Sequence, residues 1–511
     1  MKILVANRGE IAVRIIRACR EMGLRSVAVY SDCDRAARHV READQAYHIG
    51  PSEAARSYLR IDALVDAARR SGADAVHPGY GFLAENAGFA RACRDAGLTF
   101  IGPSPEAIAT MGSKTAAREA AVRAGVAVVP GTERPLDERV SDEETARIAA
   151  RVGYPLVVKA VSGGGGKGMR TVDRAAALLG AIRSARSEAG SAFGDSAVYL
   201  ERRIQRPRHI EIQLLGDEHG TIVPFVEREC SIQRRHQKVV EESPSLAVSG
   251  ALRREMAAAA AAVARAVGYT SAGTIEFLLD EAGGFYFLEM NTRLQVEHPV
   301  TEMVTSVDLV QWQIRIARGE RLAVDPGRAL TPEGHAIECR IYAEDPDQGF
   351  LPSPGLIRGL RPAGGPGVRD DSGVSAGYTV PVHYDSMIAK LIAWAPSRPD
   401  AVARMARALG EYQVLGIPTT IPFFLWLMRQ PAYGRGEYDT TYLDRLLAER
   451  TAAGSAASRS SFSALSSAEE DVVAIGAALD ACLRASGGHG AQAAADRGRW
   501  LQTARREALR G

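Results

Sequence analysis

Phe285-Tyr286-Phe287-Leu288-Glu289-Met290-Asn291-Thr292-Arg293-Leu294-Gln295-Val296-Glu297 is the stretch whose reading decides the rest of the chain. Aromatic and apolar residues at its start predict a strand, and a period of two puts Phe285, Phe287, Glu289, Asn291 and Arg293 on one face. Upstream, Gly273-Thr274-Ile275-Glu276-Phe277-Leu278-Leu279-Asp280 predicts a second strand. The Asp280–Gly284 segment between them has turn chemistry, so an antiparallel hairpin is expected. Pairing Asp280 with Phe285 sets Glu276 opposite Glu289. Directly opposed carboxylates repel unless a cation sits between them. With Asn291 they make three oxygen donors, a set that suits Mg²⁺ shared with substrate phosphates. Arg293 and Glu297 lie beside them, and the stretch reads as a metal–phosphate site.

The 511 residues are enough for several domains with large cores, and 46% hydrophobic with 24% charged residues is ordinary for a soluble globular protein. A net charge of +2 gives no reason to expect nucleic acid or an acidic membrane as partner. The apolar run Pro422–Met428 is far too short to span a bilayer. The start, Met1-Lys2-Ile3-Leu4-Val5-Ala6, leads straight into structure, so no signal peptide is expected. The 6 cysteines are scattered with no CxxC pair, which fits reduced thiols in a cytoplasmic protein.

Strand and helix patterns alternate from 1 to 113, as in a parallel doubly wound sheet. Strands are expected at 3–6, 26–30, 73–77 and 98–102, with a helix over 10–22. The first turn, Asn7-Arg8-Gly9-Glu10, lacks the GxGxxG of a dinucleotide site. The loop His77-Pro78-Gly79-Tyr80-Gly81-Phe82-Leu83-Ala84-Glu85-Asn86 follows a strand end, where such sheets bind ligands. A mixed region follows from 114 to 325. There the strand ending at Lys159 runs into Ser162-Gly163-Gly164-Gly165-Gly166-Lys167-Gly168, which is glycine-rich but not a Walker A loop. Backbone N–H groups of such a loop approach phosphate closely, so it reads as a flap over a triphosphate, with Lys159 as a point charge.

The strand His209–Leu215 has a polar face of His209, Glu211 and Gln213. Glu227–Lys238 is dense in charge, and such a run is usually a solvated face; His236 and Lys238 with Gln233 nearby nevertheless suit an oxyanion. From 326 to 447 a third unit begins with the strand His335–Tyr342, where a plain ion pair between Arg340 and Glu338 is the simplest reading. A helix is expected over 399–412. Thr451–Ser466 reads as a flexible linker, and Ser467-Ala468-Glu469-Glu470 as a capping box opening a short amphipathic helix with Val472, Ile475, Leu479 and Leu483 on one side.

Taken together, ANRGEIAVRIIRA (6–18), HPGYGFLAEN (77–86), MGSK (111–114), SGGGGKGM (162–169), RHIEIQ (208–213), RRHQKVVEE (234–242), EMNTRLQVEHPVTEM (289–303) and GHAIECRIYAEDP (334–346) closely resemble biotin carboxylase over residues 1–447. The resemblance implies an α/β and α+β multi-domain chain. Its parts are a Rossmann-like domain (1–113), an ATP-grasp domain (114–325) with a mobile lid (about 130–204), and a C-terminal biotin carboxylase domain (326–447). Residues 448–511 lie outside the common core.

The resemblance further implies that Lys114, Lys159, Gly164, Gly165 and Gly166 hold ATP phosphates. Glu201, Arg202, Arg203 and Ile204 would sit at the adenine, with His209, Gln233 and His236 nearby. Glu276, Glu289 and Asn291 would hold Mg²⁺ or Mn²⁺. Bicarbonate would lie against Lys238, Arg293, Gln295 and the Val296 N–H, with Glu297 as general base, and Arg293 and Arg340 would stabilise a biotin enolate. No Ala-Met-Lys-Met biotinylation motif occurs in the 511 residues. Biotin is therefore expected on a separate carrier protein, with carboxyltransferase subunits completing an acetyl-CoA (fatty acid biosynthesis), propionyl-CoA or pyruvate carboxylase, and a homodimer is the family expectation. Two other readings make different predictions. Another ATP-grasp carboxylate–amine ligase would turn over ATP with an amine and ignore biotin. A degenerate scaffold would lack metal or base residues, yet Glu276, Glu289, Asn291, Arg293 and Glu297 are all present.

Overall fold

Ile3, Leu4 and Val5 are fully buried, as a continuous apolar run at the centre of a parallel sheet should be. In the computed structural model, which describes residues 1–132, 134–136, 139–161, 169–193, 196–454 and 462, they form the middle strand of a five-stranded parallel sheet. Its order is Gln45–Gly50, Arg25–Ser31, Lys2–Val5, Ala75–His77, Thr99–Phe100. The helix after the first strand, Gly9–Glu21, buries Ile11, Ile15 and Cys19 as its spacing predicts. Gln45–Gly50 was not expected: it is a half-exposed edge strand with little apolar pattern to announce it. Gly79 lies in the left-handed region, and a Cβ there would fall 2.9 Å from Asn7 Nδ2. That amide donates to the carbonyls of Pro78 and Tyr80, both at 2.7 Å, locking the Asn7 turn and the His77–Asn86 loop together.

A small antiparallel sheet, Met169–Val172, Leu156–Ala160 and Val198–Arg202, packs with helices Asp142–Val152 and Leu178–Phe193 around its own core of Leu156, Val158, Ile182 and Leu200. The larger element is a nine-stranded antiparallel sheet. Along it lie Phe285–Asn291, Ser271–Leu279, Arg208–Gly216, Arg228–Arg234, Gln237–Ser243, His335–Tyr342, Met387–Ala395 and Val368–Ser372, with Ile222–Pro224 pairing beside Arg208–Gly216. Ile210, Ile212, Leu214, Ile275 and Phe277 line one face and bury it against the helices Lys114–Arg123 and Gly250–Ala266. The polar alternates point the other way.

The helix Arg398–Glu411 lies one residue from its expected place, and Pro422–Met428 is part of the helix Ile421–Met428. The expected linker at Thr451 begins inside a helix instead: Tyr442–Gly454 runs on through its alanines, good helix formers. The expected helix after Ser467 lies outside the described residues. So do Gly164, Gly165, Gly166 and Lys167. The chain divides into units 1–456 and 457–511; everything described below belongs to the first.

Glu242 cross-braces the C-terminal strands. It accepts from His335 Nε2 and Arg398 Nε, each at 2.6 Å, and from Tyr438. Burial alone would raise its carboxyl, but His335 and Arg398 pull it down to about 2. A carboxyl lowered by folding stabilises above its unfolded value of about 4.3, and that stability disappears as pH falls through the folded value. The gap in unfolding midpoint between wild type and Glu242→Gln should therefore be wide at pH 7 and close progressively below about pH 4, measured by urea titration.

Candidate active site

The hairpin forms, but not by the expected register. Leu279, not Asp280, pairs with Phe285, and a bulge at Leu288 then shifts the register so that Glu276 does face Glu289. The bulge also turns the strand over. Phe285, Phe287 and Met290 pack in the core, so Phe285 and Phe287 do not share a face with Glu289 and Asn291. The strand ends at Asn291, so Arg293 stands in the following loop. Its Nη2 reaches back to Asn291 Oδ1 at 2.9 Å, and its Nε donates to Glu85 Oε2 at 2.9 Å. Through Glu85 the His77–Asn86 loop reaches the site.

Glu276 is almost saturated with donors. Its Oε1 accepts from Lys238 Nζ, Asn291 Nδ2 and Gln295 Nε2, each at 2.8 Å, and Oε2 lies 2.9 Å from His209 Nε2. Burial would raise this carboxyl, but Lys238 and His209 hold it well below the usual carboxylate range. Burial likewise opposes charging His209, and Glu276 overcomes it and raises the imidazole. Glu289 is pushed up, first by the Glu276 charge and then by burial. Two opposed acids at the edge of a basic cluster, with the Asn291 amide beside them, its nitrogen on Glu276 and its oxygen on Arg293, supply oxygens of the kind a hard divalent cation prefers.

Lys238 Nζ is the centre of a second layer. It donates to Glu211 Oε2 at 2.6 Å, Glu276 Oε1 at 2.8 Å and Glu297 Oε1 at 2.7 Å. Burial works against its charge, and the three carboxylates outweigh that and raise it well above its ordinary value. Glu297 stands at the start of the helix His298–Thr305. Its second oxygen accepts from Arg340 Nη2 at 2.9 Å. Burial would raise the Glu297 carboxyl, but Lys238 and Arg340 hold it ionised. Arg340 also donates through Nε to Glu241 Oε1 at 2.7 Å. The simple Arg340–Glu338 ion pair therefore does not form; on a strand, neighbours across the sheet are nearer than alternate residues along it.

Arg228, which the sequence reading left unassigned, is 0% exposed. Its guanidinium bonds Glu211, Gln213 Oε1 (2.9 Å), Thr301 Oγ1 (2.9 Å), Thr274 Oγ1 (3.1 Å) and Gln295 Oε1 (2.8 Å). So the first part of the Glu227–Lys238 charge run is not a solvated face, since Glu227, Arg228 and Glu229 are all buried, while Arg235, His236 and Gln237 at its far end are exposed. Glu211, Glu241, Glu85 and Arg228 are site residues that the sequence reading did not assign. Two had local clues: Glu211 alternates with His209 on one strand face, and Glu85 lies in the loop after a strand end.

Lys159 bonds Glu201 across the small sheet. Lys114, lowered by burial, feels Glu289, Lys159 and Glu201 as neighbours, so these groups gather beside the acid pair. Gln233 Nε2 lies 3.0 Å from His209 Nδ1. Arg202, Arg203 and His236 are exposed, and Ile204 is partly so. His236 stands with Arg235 at the tip of a hairpin, both at positive φ, a conformation expensive for side chains other than Gly, Asn and Asp. The cluster as a whole can hold an anion against Lys238 and Arg340 and offers one ionised carboxylate, Glu297, between them.

Residues 1–108 match the family described as biotin carboxylase, N-terminal domain. Residues 113–324 match carbamoyl-phosphate synthase L chain, ATP binding domain, and residues 338–445 the biotin carboxylase C-terminal domain. The chain is 53% identical over 444 residues to a pyruvate carboxylase subunit from Methanothermobacter thermautotrophicus, covering 87% of this chain and 89% of that one. It is 52% identical over 445 residues to the biotin carboxylase of Nostoc sp., covering 87% and 99%. Among solved structures, the Campylobacter jejuni biotin carboxylase–β,γ-ATP complex superposes with a TM-score of 0.83 at 46% identity, covering 87% of this chain and 98% of that one. The biotin carboxylase domain dimer of Hydrogenobacter thermophilus 2-oxoglutarate carboxylase, with MgADP, ADP and bicarbonate, gives 0.82 at 48%, covering 87% and 97%.

Proposed function

This chain belongs to the biotin carboxylase family, and we propose that its Lys238–Glu297–Arg340 cluster carries out the ATP-dependent carboxylation of biotin by bicarbonate. The observation that carries the reading is the Glu297 carboxylate held between two cations, Lys238 at 2.7 Å and Arg340 at 2.9 Å. In an otherwise buried site an anion drawn to those cations lies against the carboxylate. Glu297 takes the bicarbonate proton, and the freed oxygen attacks the γ-phosphorus of ATP as ADP leaves. Carboxyphosphate then splits to CO₂ and phosphate, the phosphate removes the biotin N1′ proton, and the enolate attacks CO₂. Arg293 and Arg340 face the charge that develops on the enolate.

Lys114, Lys159 and Gly164–Gly166 hold the phosphates in this account. Glu201–Ile204, His209, Gln233 and His236 bind the nucleoside, and Gln295 with the Val296 N–H orients bicarbonate. Glu276, Glu289 and Asn291 would hold Mg²⁺ or Mn²⁺, which neutralises phosphate charge during transfer. The domain limits 1–113, 114–325 and 326–447 follow the same account, with 130–204 as lid; lid closure would keep water from the acyl phosphate.

Biotin is taken to arrive on a separate carrier protein, with carboxyltransferase subunits completing the assembly and this chain pairing with a second copy. The Methanothermobacter relative, itself one subunit of its carboxylase, supports that arrangement. Among the described residues no helix is long and apolar enough to cross a membrane; a cytoplasmic setting is part of the proposed reading.

The test is transfer of labelled bicarbonate carbon onto free biotin with Mg-ATP. Label in carboxybiotin supports the reading; ATP-driven ligation of an amine with no label in biotin overturns it. Arg340→Ala should cut biotin carboxylation by about 10²-fold and leave nucleotide affinity unchanged by calorimetry. Equal loss of both would return Arg340 to a structural role.

A further inference from the structure

Among the described residues, two motifs of the N-terminal sheet, Ala6–Ala18 and His77–Asn86, bond to the described site through Glu85. One residue from each, Glu10 and Tyr80, meets a lysine outside that site. Lys390 lies on the strand Met387–Ala395, directly opposite Arg340 on one side and Asp371 on the other. Its side chain is 0% exposed. A lone ammonium in that position is unstable unless it is paired and hydrogen-bonded.

Three contacts hold it. Nζ donates to the Val296 carbonyl at 2.7 Å, stands 3.4 Å from Glu10 Oε2, and faces the Tyr80 ring at 5.6 Å from its centroid. The Val296 carbonyl belongs to the peptide that leads into Glu297. The helix that begins there has no side-chain cap, because the Glu297 carboxylate is committed to Lys238 and Arg340. Lys390 thus supplies a side-chain hydrogen bond to the backbone beneath the base, beside the one between the His298 ring and the Gln295 carbonyl.

We propose that Lys390 is a positioning residue for carboxylation: it holds the Val296 carbonyl, and through it the backbone carrying Glu297, while Glu10 compensates its buried charge. This rests on the proposed function and deepens it, tying the C-terminal strands, the base loop and the first helix into one unit. The charged groups around the pair are Arg14 on the first helix, Glu338 and Arg340 on the neighbouring strand, Arg369 and Asp371 on the next, and His298 and Glu302 beyond Glu297. Burial raises the Glu10 carboxyl to about 7 against the pull of Lys390. Gly373 closes the other side, since a Cβ there would meet Glu10 N at 2.4 Å.

Lys390→Met should lower kcat for bicarbonate-dependent phosphate release by about 10²-fold, the scale of a small misplacement of a reacting group, with KM for ATP unchanged. It should also lower the Tm, because Glu10 loses its partner. Adding Glu10→Gln removes that second penalty but not the loss at the Val296 carbonyl, so the double variant should regain part of the lost Tm and keep the low kcat. A kcat that recovers together with Tm, or a KM for ATP that rises by the same factor, would make Lys390 merely structural and overturn the inference. So would unchanged kcat in Lys390→Met. Wild type is assayed alongside: its inactivity would sink the reading of the site, whereas an active wild type with unimpaired variants would sink only the role of Lys390.

Discussion

Glu297→Gln is expected to lower bicarbonate-dependent ATP cleavage by about 10³-fold, the scale of a lost general base, while nucleotide affinity stays the same. The amide keeps the size of the side chain and one oxygen for Lys238 or Arg340. It cannot take a proton, and its NH₂ group faces one of two cations that keep other anionic partners, Glu211 and Glu276 for Lys238 and Glu241 for Arg340. The nucleotide groups named above, Lys114, Lys159 and His209, do not bond Glu297, so their geometry has no reason to change. Phosphate release and calorimetric titration with MgADP separate the two effects. Parallel loss of nucleotide binding would make Glu297 a structural ion-pair partner and not the base.

The second large effect falls on Arg228. Arg228→Met leaves Glu211, itself 0% exposed, with Lys238 as its remaining cation, and leaves Gln213, Thr274, Thr301 and Gln295 without a shared donor. Breaking one side of a buried pair costs about 3–5 kcal/mol, far more than an exposed pair contributes. Urea unfolding should show that loss, and phosphate release should fall as well, since Gln295 and Glu211 fix the neighbours of the base. Arg228→Lys should rescue little, because an ammonium cannot fork to Glu211 and the amides at once. Stability within about 1 kcal/mol of wild type with full turnover would show that the hub is dispensable.

Local sequence carried the acid pair: the Asp280–Gly284 turn and two apolar strands bring Glu276 and Glu289 together. It did not carry the path. The turn pairs one residue off the expected register, and the bulge at Leu288 recovers the pairing, though no residue there announces a bulge. Arg293 and Glu297 stood out beside the acids and Lys238 as an oxyanion ligand, family resemblance supplied their roles and that of Arg340, and the structure gathers all four near the opposed acids. Arg228 and Glu241 were illegible for a different reason. Arg228 finds its partners on strands, a loop and a helix 15 to 73 residues away, and Arg340 reaches Glu241 from 99 residues away, so neither pair leaves a trace in spacing. The same distance explains the charge run at 227–238. Alone it looks solvated; its first strand lies inside a nine-stranded sheet that buries Glu227, Arg228 and Glu229, whereas the Arg235–Gln237 tip is exposed. Lys390 shows the effect at its strongest, a lone lysine in an apolar strand whose meaning lies in Val296 and Glu10.

The central claim is that Glu297, Lys238 and Arg340 work on bicarbonate and biotin. The most direct test is phosphate release from Mg-ATP in bicarbonate buffer, with and without free biotin at high concentration. The account predicts release that requires bicarbonate and rises with biotin. Cleavage of ATP that ignores biotin would contradict it and favour ligation of some other acceptor.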